Sequence, residues 1–150
     1  MRALIQRVKK SNLSIKGREH CAIGAGLVVF LGVGKDDDEN DALFMAEKTA
    51  NLRIFSNTEG KFDLSLLDIK GEALVVSQFT LYGDASKGRR PDFGAAARPE
   101  KAIPLYERFV TLLSDSGLAV KTGVFAAEME VELVNDGPVT IWLDSRNRDK

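Results

Sequence analysis

The run Leu27-Val28-Val29-Phe30-Leu31-Gly32-Val33 sets the tightest limit on how this chain folds. It carries no charge and is rich in β-branched residues, which predicts a strand buried on both faces. A second run, Ala73-Leu74-Val75-Val76-Ser77-Gln78-Phe79-Thr80-Leu81, predicts another buried strand that turns polar partway along. Leu4 to Val8 alternates and reads as a strand, and Leu13–Ile15 and Cys21–Ile23 flank a hairpin signal, Lys16-Gly17-Arg18-Glu19. Leu52–Phe55 and Val120–Thr122 add short strands, with a turn at Ser56–Gly60 after the first. Near the C-terminus, Glu130–Asn135 and Val139–Leu143 read as two strands joined by a tight turn.

Two helices complete the layout. The acidic segment Asp36-Asp37-Asp38-Glu39 offers N-cap residues and favourable charge for a helix over Asp41–Asn51. Its apolar face is expected to hold Leu43, Ala46 and Ala50, with Met45 and Thr49 beside them. The second helix follows a Gly-, Ala- and Arg-rich loop, Gly83–Arg98, and runs to about Ser114. Ala102, Leu105, Tyr106, Phe109, Leu112 and Leu113 fall at core spacing along it. Pro104 requires that this helix either start near Lys101 or kink. Strands outnumber helices and cluster in hairpins, which predicts an α+β fold of antiparallel or mixed sheets covered by two main helices. The 150 residues suit one domain, with a polar tail from about residue 144.

The net charge of −1 gives no overall field to draw the chain to nucleic acid or membrane, so any such binding rests on local patches. One cysteine, Cys21, excludes an intrachain disulfide and suits a reducing cytosol. The N-terminus lacks a signal-peptide core, and no apolar stretch is long enough to span a bilayer. The expectation is a soluble, cytoplasmic protein with no membrane partner.

The chemistry is narrowed by what is missing. The only histidine, His20, carries no nucleophile motif, and it adjoins Cys21 on a strand, where neighbours point to opposite faces. Soft ligands are too few for zinc, and Asp36–Glu39 lacks the spacing and glycine of a calcium loop. Gly24-Ala25-Gly26 and Gly32-Val33-Gly34 lead to no Gly-Lys-Ser/Thr and read as turns. No metal and no cofactor are expected. Hydroxyls, amides, carboxylates and backbone dipoles remain, the groups that position a substrate or stabilise an oxyanion.

Two polar intrusions stand out. Ser77, Gln78 and Thr80 enter an otherwise apolar strand, where each needs a hydrogen-bond partner. They read either as side-chain bonding at a strand end or as a pocket floor with an aromatic wall. The other intrusion is Asn135-Asp136-Gly137-Pro138-Val139-Thr140, where proline removes a donor and makes Gly137-Pro138 a bond that can be cis.

Together, Ser-Gln-Phe-Thr-Leu upstream and Asn-x-Gly-Pro-x-Thr downstream resemble the two signature motifs of the D-aminoacyl-tRNA deacylases. The resemblance extends to Arg2-Ala3-Leu4-Ile5-Gln6-Arg7-Val8, Ile23-Gly24-Ala25-Gly26-Leu27, Leu31-Gly32-Val33, Arg53-Ile54-Phe55 with Gly60-Lys61, and Thr122-Gly123-Val124-Phe125-Ala126-Ala127-Glu128-Met129. It covers essentially the whole chain, apart from Pro104 and the tail after Leu143, so residues 1–150 are expected to form one such domain.

The resemblance implies hydrolysis of the ester joining a D-amino acid, or glycine mischarged on tRNA(Ala), to the 3'-terminal adenosine of tRNA. It implies rejection of L-aminoacyl-tRNA and a homodimer in which Gly137 and cis-Pro138 of one subunit enter the other's pocket. Their parallel carbonyls would crowd the place an L side chain needs. Ser77, Gln78, Phe79 and Thr80 would form the catalytic segment, holding the adenosine end and offering N–H groups to the ester carbonyl. Thr80 has no base beside it in sequence, which favours positioning over nucleophilic attack. Phe125, Ala126 and Met129 would line the amino-acid pocket, with Asn135 and Thr140 beside them. Lys87, Arg89, Arg90 and Arg98 are the candidates for tRNA phosphates, with the basic N-terminal strand second and no DNA partner expected. The competing reading is a non-catalytic aminoacyl-tRNA-binding module; the lack of a fused synthetase segment favours a free-standing enzyme.

Overall fold

A computed structural model describes residues 1–148. Its strands and helices run β1 (Arg2–Ile15), β2 (Arg18–Ile23), β3 (Gly26–Gly32), α1 (Glu39–Asn51), β4 (Phe55–Ser56), β5 (Phe62–Leu64), α2 (Leu66–Ile69), β6 (Glu72–Ser77), α3 (Pro99–Asp115), β7 (Ala119–Thr122) and β8 (Glu130–Asp144). The fold is α+β, with one mixed sheet ordered β2-β1-β3-β6-β7, β8 paired to β1, and β4 and β5 as a separate pair. Strand β6 lies parallel to β3 and to β7, and helices occupy the crossovers between them.

Strands β3 and β6 are buried on both faces. Leu27, Val29, Leu31, Ala73 and Val75 face a core shared with α1 and α3. Val28, Leu74 and Val76 face a second core with Leu13, Ile23 and Val131. The helices therefore cover one face only. The other is covered by β2 and the far halves of β1 and β8. Each fully buried Val or Leu side chain contributes about 1.5–3 kcal/mol, so this double cover is a main source of stability. At Gly26 the strands come so close that an added Cβ would fall 1.8 Å from the Glu72 carbonyl oxygen.

Several boundaries differ from the sequence reading. The stretches at Leu4–Val8 and Leu13–Ile15 are one strand, as are the two expected C-terminal strands. Both halves of β8 pair with β1, so no hairpin separates them. Gln6 lies opposite Thr140 and Val8 opposite Asn135, leaving Asp136, Gly137, Pro138 and Val139 facing Arg7 alone. The motif is a loop extruded from a continuous strand, a large bulge that the ladder closes on either side. Of the expected Leu52–Phe55 strand only Phe55 pairs.

Helix α1 is capped by Asp38, whose Oδ1 accepts from Asn40 N at 2.8 Å and Asp41 N at 3.2 Å. Its buried stripe is Ala42, Met45, Ala46, Thr49 and Ala50, not one built on Leu43, which is 50% exposed. Small residues at that spacing let the helix approach the sheet closely, and Leu43 lies one step round. Helix α3 starts at Pro99, two residues before the expected Lys101, so Pro104 lies in its interior. The Glu100 carbonyl forfeits its helical donor there, at a residue exposed to solvent.

The tail is part of the structure. Ser145 is buried; its N–H donates to the Met1 carbonyl at 2.8 Å and its hydroxyl accepts from the Met1 amine. That amine also pairs with buried Asp37 at 2.9 Å. Arg148 pairs with Asp41 and lies 5.1 Å from the Phe44 ring. Asp149 and Lys150 lie outside the described residues.

Candidate active site

Strand β6 stops at Ser77, four residues before the end of the apolar run that predicted it. Gln78 N still donates to the Leu31 carbonyl at 2.8 Å, and the chain then turns into a 3-10 helix, Phe79–Tyr82. Gly32 permits this, since a Cβ there would fall 2.9 Å from the Gln78 carbonyl oxygen. The turn lifts Phe79 and Thr80 to the surface, and Phe79 is 56% exposed.

A pocket of about 700 Å³ opens where β3 and β6 end. Ser77, Gln78 and Phe79 form one side; Phe125, Ala126 and Met129 face them from the turn after β7. Carboxyl ends of parallel strands are common ligand sites, because chains diverge there and leave a crevice. The opposing wall is well supported. Tyr106 donates to the Val75 carbonyl at 2.8 Å and meets the Phe125 ring edge-on at 6.4 Å between centroids. Burial pushes the Tyr106 hydroxyl well above its ordinary range, so it stays a donor. Gly123 makes room for Met129, whose sulfur lies 2.6 Å from where a Cβ would stand. Ala126 holds a left-handed backbone at φ 61°, a conformation costing an L-residue about 1 kcal/mol.

Thr80 is not on the pocket lining. Its Oγ1 accepts from the Gln78 side-chain amide, and among the described residues no histidine or carboxylate is bonded to it. His20 is exposed on β2, and Cys21 Sγ points to the Thr122 carbonyl at 3.6 Å. Burial, with a smaller opposing pull from Lys121, leaves that thiol above its ordinary range, so it is no thiolate nucleophile.

Gly137, Pro138, Asn135 and Thr140 are likewise absent from this lining. The Gly137-Pro138 bond is cis, and both residues are exposed. Asn135 and Thr140 brace the loop instead: Asn135 Oδ1 accepts from Val139 N at 2.9 Å and its Nδ2 donates to Thr140 Oγ1 at 3.1 Å. Gln6 donates to the same hydroxyl at 3.2 Å. Asn and Thr at the ends of the motif thus close its base.

The basic candidates divide by position. Lys87, Arg89 and Arg90 are exposed on the loop before α3, while Arg98 joins the pocket wall. Two arginines of the N-terminal strand are engaged internally. Arg2 pairs with Asp144 at 3.1 Å, and Arg7 is held beneath the extruded loop. Sequence reasoning missed Arg7 as a brace and missed Phe93 in the pocket wall. The one available signal for Phe93 was a large aromatic in a loop of small and charged residues.

The sequence profile of the D-Tyr-tRNA(Tyr) deacylases matches residues 4–144. A curated protein of Fervidobacterium nodosum named D-aminoacyl-tRNA deacylase is 54% identical over 97% of this chain and 98% of its own. One of the same name from Roseiflexus castenholzii is 59% identical over 97% of this chain and 92% of its own. Among solved structures, the c-Myc DNA unwinding element binding protein superposes with a TM-score of 0.90 at 39% identity, covering 96% of this chain and 98% of that one. A probable eukaryotic D-amino acid tRNA deacylase shares the fold, with a TM-score of 0.81 at 18% identity over 95% of this chain and 97% of that one. Matched along nearly its whole length in both sequence and fold, the chain belongs to the D-Tyr-tRNA(Tyr) deacylase family.

Proposed function

We propose that this protein hydrolyses the ester between a D-amino acid, or glycine mischarged on tRNA(Ala), and the 3'-terminal adenosine of tRNA. The observation that carries the reading is the pocket itself. Its walls bring together Ser77-Gln78-Phe79 and Phe125-Ala126-Met129, from two distant family segments. The full-length relatives support the substrate class, since they carry the name D-aminoacyl-tRNA deacylase.

An aminoacyl ester on ribose carries a neighbouring hydroxyl, which can assist attack by water. The protein then needs to hold the ester and stabilise the developing oxyanion, not to supply a base. The Gln78 N–H is committed to the Leu31 carbonyl, so the backbone N–H groups of Ser77 and Phe79 are the ones left to meet the ester carbonyl oxygen, and Thr80 fixes the Gln78 side chain by accepting its amide. Phe125, Ala126 and Met129 face the aminoacyl end. Lys87, Arg89, Arg90 and Arg98 take phosphates of the acceptor end and position it without reading its sequence.

Rejection of the L form belongs to Gly137 and Pro138 of a partner subunit in a homodimer. The support is the extruded, exposed loop, which does not line the pocket of its own chain. Delivered to a partner's pocket, its carbonyls would occupy the place an L side chain needs, whereas a D side chain points elsewhere.

The test is turnover on D-Tyr-tRNA and L-Tyr-tRNA, followed by release of the amino acid. Release from the D form alone is expected. Equal rates on both, or binding of the D form without release, overturns the reading. Sedimentation alongside the assay tests the dimer: a monomer with full chiral selectivity removes the cross-subunit gate.

A further inference from the structure

We infer that Phe93 is a positioning residue for the terminal adenine of the bound acceptor end, a role that rests on the deacylase reading above. Phe93 lines the pocket, and its ring meets Phe79 edge-on, with centroids 5.1 Å apart and planes at 72°. The two rings make an aromatic corner at the mouth, although Phe79 keeps 56% of its surface open. Exposed aromatic surface beside a cavity of about 700 Å³ is suited to stacking on a planar group.

The backbone holds Phe93 in place from both sides. Before it, Asp84 and Asp92 exchange two backbone hydrogen bonds of 2.8 Å, pinching off the segment that carries Lys87, Arg89 and Arg90. After it, Lys35 N donates to the Ala95 carbonyl at 3.0 Å and Ala97 N to the Val33 carbonyl at 2.9 Å. The ring packs on the backbone of Gly83, where a Cβ would fall 2.9 Å from its edge. Phe93 is thus a fixed wall, joined through a few residues to a basic tip on one side and to Arg98 on the other.

Two planar groups of an aminoacyl-tRNA could meet this corner, the adenine or an aromatic amino-acid side chain. Charge favours adenine. Arg98 shares the wall and, among the described residues, forms no ion pair. A cation beside an aromatic corner suits a base with its phosphate, whereas an aromatic amino acid brings no phosphate.

The test is Phe93→Leu, which keeps apolar bulk and loses the aromatic face, assayed on D-Tyr-tRNA and D-Ala-tRNA with adenosine as competitor. KM is expected to rise about tenfold on both substrates, with kcat within about twofold and an unchanged melting temperature. The inhibition constant of adenosine should rise in parallel, and Phe93→Tyr should restore all three values. An unmoved KM overturns the inference, and so does a rise confined to D-Tyr-tRNA, which would assign Phe93 to the side chain. A joint fall of kcat and melting temperature that Phe93→Tyr does not rescue reduces it to a packing residue. If the wild type releases no D-Tyr, the deacylase reading fails by itself. Calorimetric binding of adenosine to wild type and Phe93→Leu then decides the role of Phe93 separately.

Discussion

Arg7 reaches under the extruded loop and donates from Nε to the backbone carbonyl of Asp136 at 2.9 Å. Its Nη1 donates to the Ile54 carbonyl at 2.7 Å, so one guanidinium ties the loop to the segment before β4. The side chain is 11% exposed, which makes these charged bonds strong and their loss costly. The residue opposite the bulge thus holds the bulge in shape.

Replacing Arg7 with Met keeps the stem and removes both donations. Unfolding free energy should fall by about 3 kcal/mol, read from denaturant melts. Release from L-Tyr-tRNA should rise relative to the D form, because the loop loses its fixed position. Unchanged selectivity with lowered stability would separate the brace from the gate.

Thr80→Ala should retain deacylation of D-Tyr-tRNA to within about tenfold. Its hydroxyl accepts from Gln78 and has no base to activate it. A loss of about a thousandfold or more with intact binding would make it the nucleophile.

Thr49 is fully buried in α1, and its Oγ1 has no hydrogen-bond partner among the described residues. Thr49→Val replaces that hydroxyl with a methyl of nearly the same size. Stability should rise by about 1 kcal/mol, seen as a higher melting temperature. A fall would mean that the hydroxyl is satisfied in solution.

Asp41 links α1 to the C-terminal segment. Burial works to raise its pKa, but the Ser145 hydroxyl, the Asp38 N–H and Arg148 outweigh it and hold the carboxyl at about 2. A depressed carboxylate pKa stabilises the fold above the unfolded value, and that contribution disappears as pH falls through the folded value. Wild type should therefore lose stability relative to Asp41→Asn between about pH 4 and pH 2, measured by thermal melts. Parallel melting curves across that window would contradict the linkage.

Much of this fold was legible because it is local. Leu27–Val33 reports its double burial in its composition, and Asp38 caps α1 as the acidic segment suggested. Leu43 misled because hydrophobicity alone ranks it above Ala42, whereas close approach to a sheet selects the small side chain. Ser77-Gln78-Phe79 was legible as a break in pattern, but its turn into a 3-10 helix depends on Leu31 and Gly32 of another strand. Phe93 reaches the pocket through pairings with distant residues, and no local period records those.

By itself the sequence determined the two doubly buried strands β3 and β6, the acidic cap of α1, and the two motifs that carry the family resemblance. Those are properties of neighbouring residues, set by periodicity and side-chain type. Only the tertiary structure decided what Gly137-Pro138 is. A turn signal between two apolar runs predicts a hairpin when the runs pair with each other. Here both pair with β1, and the surplus residues are pushed out opposite Arg7. Which strand pairs with which is fixed by long-range hydrogen bonding and burial, and that turned an apparent hairpin into an exposed loop.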